Sequence, residues 1–325
     1  MDKGSNQSRN GSAKKTDEIR RIEPDLKVNL CGIILDNPVI AASGPFGYGH
    51  EYRALTNFEA LGGIIVKGVS LEPWTGNPPP RLAETASGLL NAIGLHNPGL
   101  DQFLEKDLPL LRDAGPRLIV NVVGCSINEY SRVASHLDGV EGIDGLEINI
   151  SCPNVKAGGM AFGTDPEATY QAVSAVRRRT KLPLLIKLSP NVTDICVIAR
   201  AAEEAGADGI SLINTLAGML IDVGQKKPLL GNTFGGLSGP AIMPVALKMV
   251  WQVAGTVKVP VLGMGGINSA EDALQFIMAG ARAVAVGTGF FYDPELPVKI
   301  NAGLTEYMKT NGISNLGRIE GIARS

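Results

Sequence analysis

The segment from Asn149 to Asn154 places Cys152 between two carboxamide side chains. The ordinary pKa of a cysteine thiol is about 8.5, so this group can serve as a base or a nucleophile. A cysteine near a strand end is more often a small buried apolar residue. The flanking asparagines, and a glycine-rich segment at 155–163 that could close as a lid, favour a catalytic role instead.

Two lysines lie inside apolar segments, Lys67 within 64–69 and Lys187 within 184–188. An ammonium group in such a strand needs an anionic partner, unless its side chain extends to the rim of the sheet. Neutral donors and acceptors that suit a heterocycle with amide groups recur near predicted strand ends. These carboxamides are Asn91, Asn97, Asn121, Asn149, Asn154 and Asn214.

Two glycine-rich segments, 263–266 and 287–289, follow the last two predicted strands. Their backbone N–H groups can approach an anion closely, and the corresponding loops of a barrel commonly bind phosphate. The alternative is that the glycines only permit tight turns. Neither segment completes a dinucleotide or Walker fingerprint, so direct binding of NAD or ATP has no support.

Several classes of function are disfavoured by composition. Thirty basic and 32 acidic residues give a net charge of -2, which predicts neither a nucleic-acid nor a membrane partner. The apolar segments are too short to span a bilayer, so we expect a cytoplasmic protein. The cysteines are too widely spaced for a zinc set and are expected to be reduced thiols, and the histidines are too scattered for a metal site. These residues are Cys31, Cys125, Cys152 and Cys196, and His50, His96 and His136.

Eight short apolar segments alternate with segments of helical period, which predicts an α/β fold of the (β/α)8 TIM-barrel type. A doubly wound sheet is the alternative, but polar residues and glycines after nearly every strand favour a barrel. The predicted strands are Val39–Ala42, Gly63–Val69, Leu118–Val123, Gly145–Ile150, Leu184–Leu188, Gly209–Ile213, Val259–Gly263 and Ala283–Val286. The clearest predicted helices are Asn128–Leu137, Pro166–Arg179, Thr193–Ala205, Pro240–Ala254 and Ala270–Met278.

The amino-terminal region divides into two parts. Residues 1–27 are polar and lack the apolar core of a targeting peptide, so we expect a disordered extension. The domain is expected to span 28–325. It begins with Val28–Leu30 and Gly32–Leu35, which could form a small hairpin that closes the bottom of the barrel.

These motifs, in this order, resemble the dihydroorotate dehydrogenases, which are FMN enzymes of pyrimidine synthesis on a (β/α)8 barrel. The resemblance runs from Val28 to the C-terminus. It rests on the following segments, together with the two glycine segments: 42–44, 66–68, 91–99, 149–154, 186–191, 213–215 and 237–240.

The resemblance implies a role for each matching residue. Cys152 would remove the C5 proton of dihydroorotate while a hydride leaves C6 for the flavin. The substrate would be bound by Lys67, Asn91, Ile93, Gly94, Leu95, Asn149, Asn154, Asn214 and Thr215. FMN would be bound by Ser43, Gly44, Lys67, Gly68, Asn121, Asn149, Lys187, Ile213, Gly239, Gly265, Gly266, Gly287 and Thr288, and no metal is expected.

The resemblance also indicates a subclass. The membrane-associated class uses serine where this chain has Cys152, so class 1 is favoured. Within class 1, the loop after Cys152 is similar to that of the NAD-linked form, in which a homodimer binds an electron-transfer subunit that carries FAD and a [2Fe-2S] cluster, giving a heterotetramer. His96 departs from the more usual proline or glutamine and could alter the substrate loop.

Four alternatives remain at this point. A stand-alone class 1 enzyme would pass electrons to fumarate. A flavin barrel like that of dihydropyrimidine dehydrogenase typically has histidine at the position of Asn154. A phosphate-binding isomerase or lyase would use no flavin, and a catalytically silent barrel would act only as a binding partner.

Overall fold

Eight parallel strands form a closed barrel in the computed structural model, which describes residues 23–151 and 162–324. Strands that follow each other along the chain pair in the barrel, and the last strand pairs with the first. The predicted (β/α)8 fold is therefore confirmed. The strands are β1 Val39–Ala41, β2 Gly63–Val69, β3 Arg117–Val122, β4 Gly145–Asn149, β5 Leu184–Lys187, β6 Gly209–Leu212, β7 Val261–Met264 and β8 Ala283–Val286.

The barrel strands are buried on both faces, which explains their nearly continuous apolar sequences. Every residue of β4 is buried, although this strand contains Glu147 and Asn149. Each polar side chain in such a strand needs a partner inside the barrel, because burying it without one costs free energy. The partners of these side chains define the site described below.

The longer helices in the described ranges cover the outside of the barrel. Side chains of Ser126, Asp165, Asp194 and Ser269 accept a hydrogen bond from a backbone N–H in the first turn of the helix that follows. These caps define where the helices begin. The helices are Ile127–Leu137, Pro166–Arg177, Ile195–Glu204, Met243–Ala254, Ala270–Met278 and Leu296–Thr310. Shorter helical segments are Ser43–Phe46, His50–Tyr52, Phe58–Ala60, Leu100–Gln102, Phe103–Asp107, Leu108–Leu111, Pro240–Ile242, Gly289–Tyr292, Leu316–Arg318 and Ile322–Arg324.

Some predicted ends of helices and strands were wrong. A proline or a capping side chain explains where the observed element begins. The predicted helix Pro240–Ala254 divides into a 3-10 turn, Pro240–Ile242, and an α-helix from Met243 with a proline in its first turn. Proline fits there because it lacks the N–H that an interior position needs. In the same way β7 begins at Val261, directly after a proline.

Every helix within 23–151 and 162–324 is too short or too polar to cross a bilayer.

A four-stranded antiparallel sheet was not predicted. It is formed by segments that follow the carboxyl ends of β2 and β6, so it lies on the side of the barrel where those strands end. The pairing of Gly88–Asn91 with Gly235–Ser238 joins residues that are far apart in sequence, and the strands are short. In order across the sheet they are Leu216–Gly218, Gly235–Ser238, Gly88–Asn91 and Leu82–Thr85, and a separate hairpin joins Ile221–Asp222 to Lys227–Pro228.

The predicted amino-terminal hairpin is present and pairs Val28–Leu30 with Ile33–Leu35. A Cβ atom added to Gly209, the first residue of β6, would lie 2.2 Å from the sulfur of Cys31. The hairpin therefore packs against the amino-terminal ends of the strands, as expected. Cys31 lies in the hairpin turn and not in a strand, and burial raises its pKa to about 12.

Candidate functional site

Most of the predicted site residues lie at the carboxyl ends of the barrel strands. Because these ends meet at one face of a parallel barrel, residues distant in sequence come together there. Cys152 and Asn154 lie outside the described residues. The others begin with Ser43 and Gly44 after β1, Lys67 and Gly68 in β2, Asn121 in β3, Asn149 in β4 and Lys187 in β5, followed by Ile213, Asn214 and Thr215 after β6, Gly265 and Gly266 after β7, and Gly287 and Thr288 after β8.

Glu147 of β4 is the centre of a buried polar network. Its Oε2 atom lies 3.6 Å from Nζ of Lys187 and accepts a hydrogen bond of 2.5 Å from Nδ2 of Asn121. Its Oε1 atom accepts a hydrogen bond of 2.7 Å from the hydroxyl of Ser211. Strand β6, which holds Ser211, is not a neighbour of β4, so this bond crosses the interior of the barrel. The anionic partner expected for Lys187 is therefore Glu147.

Two carboxamides at the barrel rim form a second group of hydrogen bonds, and one of them, Asn149, lies on the same strand as Glu147. Nδ2 of Asn214 donates to Oδ1 of Asn149 at 3.4 Å, and the N–H of Ser151 donates to the same oxygen at 3.2 Å. The hydroxyl of Tyr130 donates to the backbone oxygen of Asn149 at 2.7 Å. We call the side chains of Asn121, Glu147, Asn149, Lys187, Ser211 and Asn214 the polar network.

Lys67 differs from Lys187 because no carboxylate among the described residues lies within 4 Å of its ammonium group. Its side chain is partly buried, and its backbone N–H donates to the oxygen of Gly47 at 2.8 Å. Burial lowers the pKa of Lys67, while Glu51 opposes this shift and Arg81 adds to it. An ammonium group without a close carboxylate is suited to bind an anionic ligand.

Three loops line a small concave cavity beside the ends of β7 and β8. Gly266 has φ of +78°, and a Cβ atom there would lie 2.7 Å from Cβ of Met243 and 2.8 Å from the oxygen of Gly239. Only glycine fits such a position. We call this cavity the glycine cradle; its lining residues are Gly239, Pro240, Gly266, Ile267, Asn268, Gly287, Thr288, Gly289 and Tyr292.

Residues in and beside the cradle also favour the binding of a phosphate group. Gly265 has φ of +128°, and a Cβ atom there would lie 2.8 Å from Cβ of Ala246. The hydroxyl of Thr288 donates to the hydroxyl of Ser238 at 2.8 Å, which orients this side chain at the cavity wall. A concave lining of backbone groups with an adjacent hydroxyl is suited to a phosphate group.

Gly68 lies between Asn121 of the polar network and Tyr48, which follows β1. A Cβ atom on Gly68 would lie 2.8 Å from Cγ1 of Val123 and 3.2 Å from Oδ1 of Asn121. The hydroxyl of Tyr48 donates to the oxygen of Gly68 at 3.4 Å. Ser43, which begins the short helix after β1, is buried. Oδ1 of Asn121 therefore faces Gly68, while its Nδ2 faces Glu147.

The antiparallel sheet brings two predicted substrate residues together. Nδ2 of Asn91 donates to the oxygen of Gly236 at 3.0 Å. A Cβ atom on Gly236 would lie 2.0 Å from the hydroxyl oxygen of Thr215, so these residues are in close contact. Nδ2 of Asn191 donates to the oxygen of Thr215 at 3.0 Å and supports that loop. Asn191 had no assigned role, although it lies in one of the recognised segments.

The predicted substrate loop, Ile93 to Leu95, is stabilised by Asn97. Nδ2 of Asn97 donates to the oxygen of Leu95 at 2.9 Å, and its Oδ1 accepts from the hydroxyl of Ser70 at 2.9 Å. Asn97 is buried, so within the described structure this carboxamide orders the loop. His96 is exposed, and its Nδ1 lies 2.9 Å from the oxygen of Thr75.

Glu147 is the main residue of the site that the sequence interpretation missed. A signal was available, since a charged residue in an apolar strand is the pattern that singled out the two lysines. Glu147 is also two positions before Asn149 and so shares a strand face with it. Among the described residues, no cluster of histidine, cysteine, aspartate and glutamate could hold a metal ion.

Comparison with known proteins gives one consistent result. The family model described as dihydroorotate dehydrogenase matches residues 25–308. A relative from Geobacter metallireducens is 54% identical over 298 residues, covering 92% of this chain and 98% of the relative. A second, from Alkaliphilus metalliredigens, is 54% identical over 297 residues, covering 91% and 98%. Both relatives are named as the catalytic subunit of dihydroorotate dehydrogenase B (NAD(+)).

Proposed function

The chain belongs to the dihydroorotate dehydrogenase family, and on that premise we propose that it oxidises (S)-dihydroorotate to orotate in the de novo synthesis of UMP. The structural observation that carries the proposal is the position of the glycine cradle and the polar network at the same end of one barrel. The cradle is suited to a phosphate group, and the network presents amide and ammonium groups to a heterocycle.

FMN is the cofactor that the family implies, and the residues of the site fit it. Side chains are excluded at Gly266 in the cradle and at the adjacent Gly265, which leaves backbone N–H groups able to approach the phosphate. Asn121 and Lys187 provide amide and ammonium groups for the ring. The remaining residues proposed to hold FMN are Ser43, Gly44, Lys67, Gly68, Asn149, Ile213, Gly239, Gly287 and Thr288.

The chemistry divides between the cofactor and the chain. When bound, FMN accepts the hydride that leaves C6 of dihydroorotate. Cys152 removes the proton from C5, a role that rests on the family resemblance because this residue lies outside the described ranges. Lys67 binds the substrate carboxylate. Hydrogen bonds that orient the pyrimidine come from Asn91, the loop Ile93 to Leu95, Asn149, Asn154, Asn214 and Thr215.

The final electron acceptor is proposed to be NAD, reached through a second subunit. The sequence has no dinucleotide fingerprint and no cysteine cluster for an iron–sulfur centre. Relatives named as catalytic subunits of an NAD(+) enzyme support a partner protein. We propose that this partner carries FAD and a [2Fe-2S] cluster, and that two copies of each chain form a heterotetramer. The proposal keeps the cytoplasmic location expected from the sequence.

The test compares electron acceptors. The purified chain loaded with FMN should absorb near 450 nm and oxidise dihydroorotate with an artificial dye, but it should reduce NAD negligibly. Addition of a flavin and iron–sulfur partner should restore NAD reduction. Rapid NAD reduction by the isolated chain would contradict the partner, and efficient turnover with fumarate would indicate the stand-alone form. A chain that cannot bind FMN would favour a phosphate-binding isomerase or lyase.

A further inference from the structure

We propose that Glu147 is a positioning residue that compensates the charge of Lys187 beside the flavin, and so sets how much more tightly the protein binds reduced FMN than oxidised FMN. This inference rests on the proposed function, because it places Asn121 and Lys187 against the flavin ring. It adds a residue that the family resemblance did not assign.

The first observation is the complete burial of the pair. The side chain of Glu147 has no exposed surface and that of Lys187 is 7% exposed. At 3.6 Å, the two groups form an ion pair shielded from water. Screening by water and salt is weak at such a place. A ligand beside Lys187 therefore meets an ammonium group whose charge is largely cancelled by the carboxylate behind it.

The second observation is the orientation of Asn121. Its Nδ2 donates to Glu147, and a carboxylate only accepts hydrogen bonds, so the amide oxygen must point the other way. That oxygen faces Gly68, one of the residues proposed to hold FMN. Glu147 thus selects which half of the Asn121 amide is presented on the flavin side.

The contrast with Lys67 shows why compensation matters. Lys67 has no carboxylate within 4 Å among the described residues, and Glu51 acts on it only from a greater distance, so its charge is less compensated than that of Lys187. Reduction of a flavin adds negative charge to the ring, which each nearby positive charge favours. Among the described residues, Lys67 is the less compensated of the two lysines when Glu147 is present. Without Glu147, Lys187 would act on the added negative charge as well.

The decisive variant is Glu147→Gln, which keeps the shape of the side chain. The glutamine oxygen can still accept from Asn121, and its NH2 group can donate to the hydroxyl of Ser211, so the hydrogen-bond geometry is retained while the negative charge is lost. We expect the dissociation constant of oxidised FMN to remain within about threefold of wild type. We expect the preference for reduced FMN to rise by about tenfold, which corresponds to ~30 mV for a two-electron couple.

Two further variants complete a charge cycle. Lys187→Gln leaves the carboxylate uncompensated and should lower the preference for reduced FMN by about tenfold. The double variant Glu147→Gln/Lys187→Gln removes both charges, so its preference should return to within about threefold of wild type. The double variant buries no unpaired charge and should fold even where a single variant does not. A preference for reduced FMN that differs from wild type by about tenfold or more in the double variant would overturn the inference.

Ser211→Ala is the matched control. It removes the hydrogen bond from Ser211 to Oε1 of Glu147 without changing any charge. It should lower the thermal stability of the apoprotein slightly and leave the preference for reduced FMN unchanged. A control that shifts this preference as much as Glu147→Gln would show that packing, and not charge, is responsible, and would overturn the inference.

The measurements separate this inference from the function on which it rests. Fluorescence titration of the apoprotein gives the dissociation constant of oxidised FMN. The midpoint potential of the bound flavin, compared with that of free FMN, then gives the ratio of the dissociation constants for oxidised and reduced FMN. A wild-type chain that fails to bind FMN contradicts the proposed function. A wild-type chain that binds FMN and is reduced by dihydroorotate, while all three charge variants keep the wild-type ratio, overturns only the role of Glu147.

Discussion

The glycine cradle and the polar network are both proposed to bind FMN, but they use different parts of the chain to do so. The cradle uses backbone groups, and its main requirement is that side chains be absent, as at Gly266. The network uses buried side chains that form hydrogen bonds and an ion pair with one another, centred on Glu147. Shape therefore dominates in the cradle, whereas charge and hydrogen-bond direction dominate in the network.

This difference predicts which property each region controls. A substitution in the cradle should change how tightly FMN is held and have a smaller effect on its chemistry. A substitution that removes a charged or amide group of the network, or one of the reactive groups beside it, should change the chemistry or the binding of charged ligands while FMN stays bound. The predictions below test that separation.

The largest effect is expected for Cys152→Ala. We expect this variant to retain its FMN, because the cradle and the lysines bind the cofactor without the thiol. Its rate of flavin reduction by dihydroorotate should fall by about 10³-fold, within the usual contribution of a general base. Anaerobic bleaching of the flavin absorbance measures this rate. Cys152→Ser should keep a little activity that rises with pH, and bleaching at the wild-type rate in the alanine variant would reject the assignment.

A smaller effect is expected for Lys67→Ala, which should weaken orotate binding by about 2–4 kcal/mol through loss of one member of a charge pair. The pKa of Lys67 is below that of free lysine because burial disfavours the charged form. Wild-type affinity for orotate should therefore fall as pH rises through this lowered pKa. The variant should lack that pH-dependent decrease.

Titration of the bound flavin absorbance with orotate at several pH values measures both effects. An orotate dissociation constant that is unchanged in Lys67→Ala would indicate that the side chain only extends to the rim of the barrel.

The cradle is tested by Gly266→Ala. The added Cβ would lie 2.7 Å from Cβ of Met243, in a backbone conformation that L side chains rarely adopt. We expect the loops to shift and the dissociation constant of FMN to rise by about 10-fold to about 100-fold, roughly 1.4–2.8 kcal/mol. Fluorescence titration of the apoprotein measures this change.

The matched control for the cradle is Gly224→Ala in a surface hairpin loop. There the only atom near an added Cβ is Oδ1 of Asp222 at 3.3 Å. This variant should bind FMN as the wild type does. If Gly266→Ala also binds FMN normally, the cradle is not the phosphate site.

The smallest effect is expected for His96→Gln. The histidine is exposed and lies outside both regions, with Nδ1 near the oxygen of Thr75. The loop is held instead by Asn97, which is buried. We therefore expect KM for dihydroorotate to change by no more than about threefold, since one exposed hydrogen bond contributes about 0.5–1 kcal/mol. A tenfold change in steady-state KM would show that His96 shapes the substrate loop directly.

Much of this arrangement was predictable from the sequence. The eight strands and the small hairpin were recognised because their apolar segments and flanking turn residues are local signals. The glycine cradle was recognised for the same reason, since its two main segments directly follow strands. Lys67 and Lys187 stood out because a charged residue in an apolar strand is unusual.

The tertiary structure decided the partners. Glu147 lies 40 positions before Lys187 and 64 before Ser211, and only closure of the barrel brings the three side chains together. The sheet that joins Asn91 to Gly236 depends on a pairing across 145 positions. Asn97 was an equal candidate among the carboxamides until its bonds to Ser70 and Leu95 showed that it orders a loop. The sequence shows which residues are charged or carry an amide. Which group pairs with a buried charge, or hydrogen-bonds to a buried amide, depends on contacts between distant segments, and these exist only when the chain is folded.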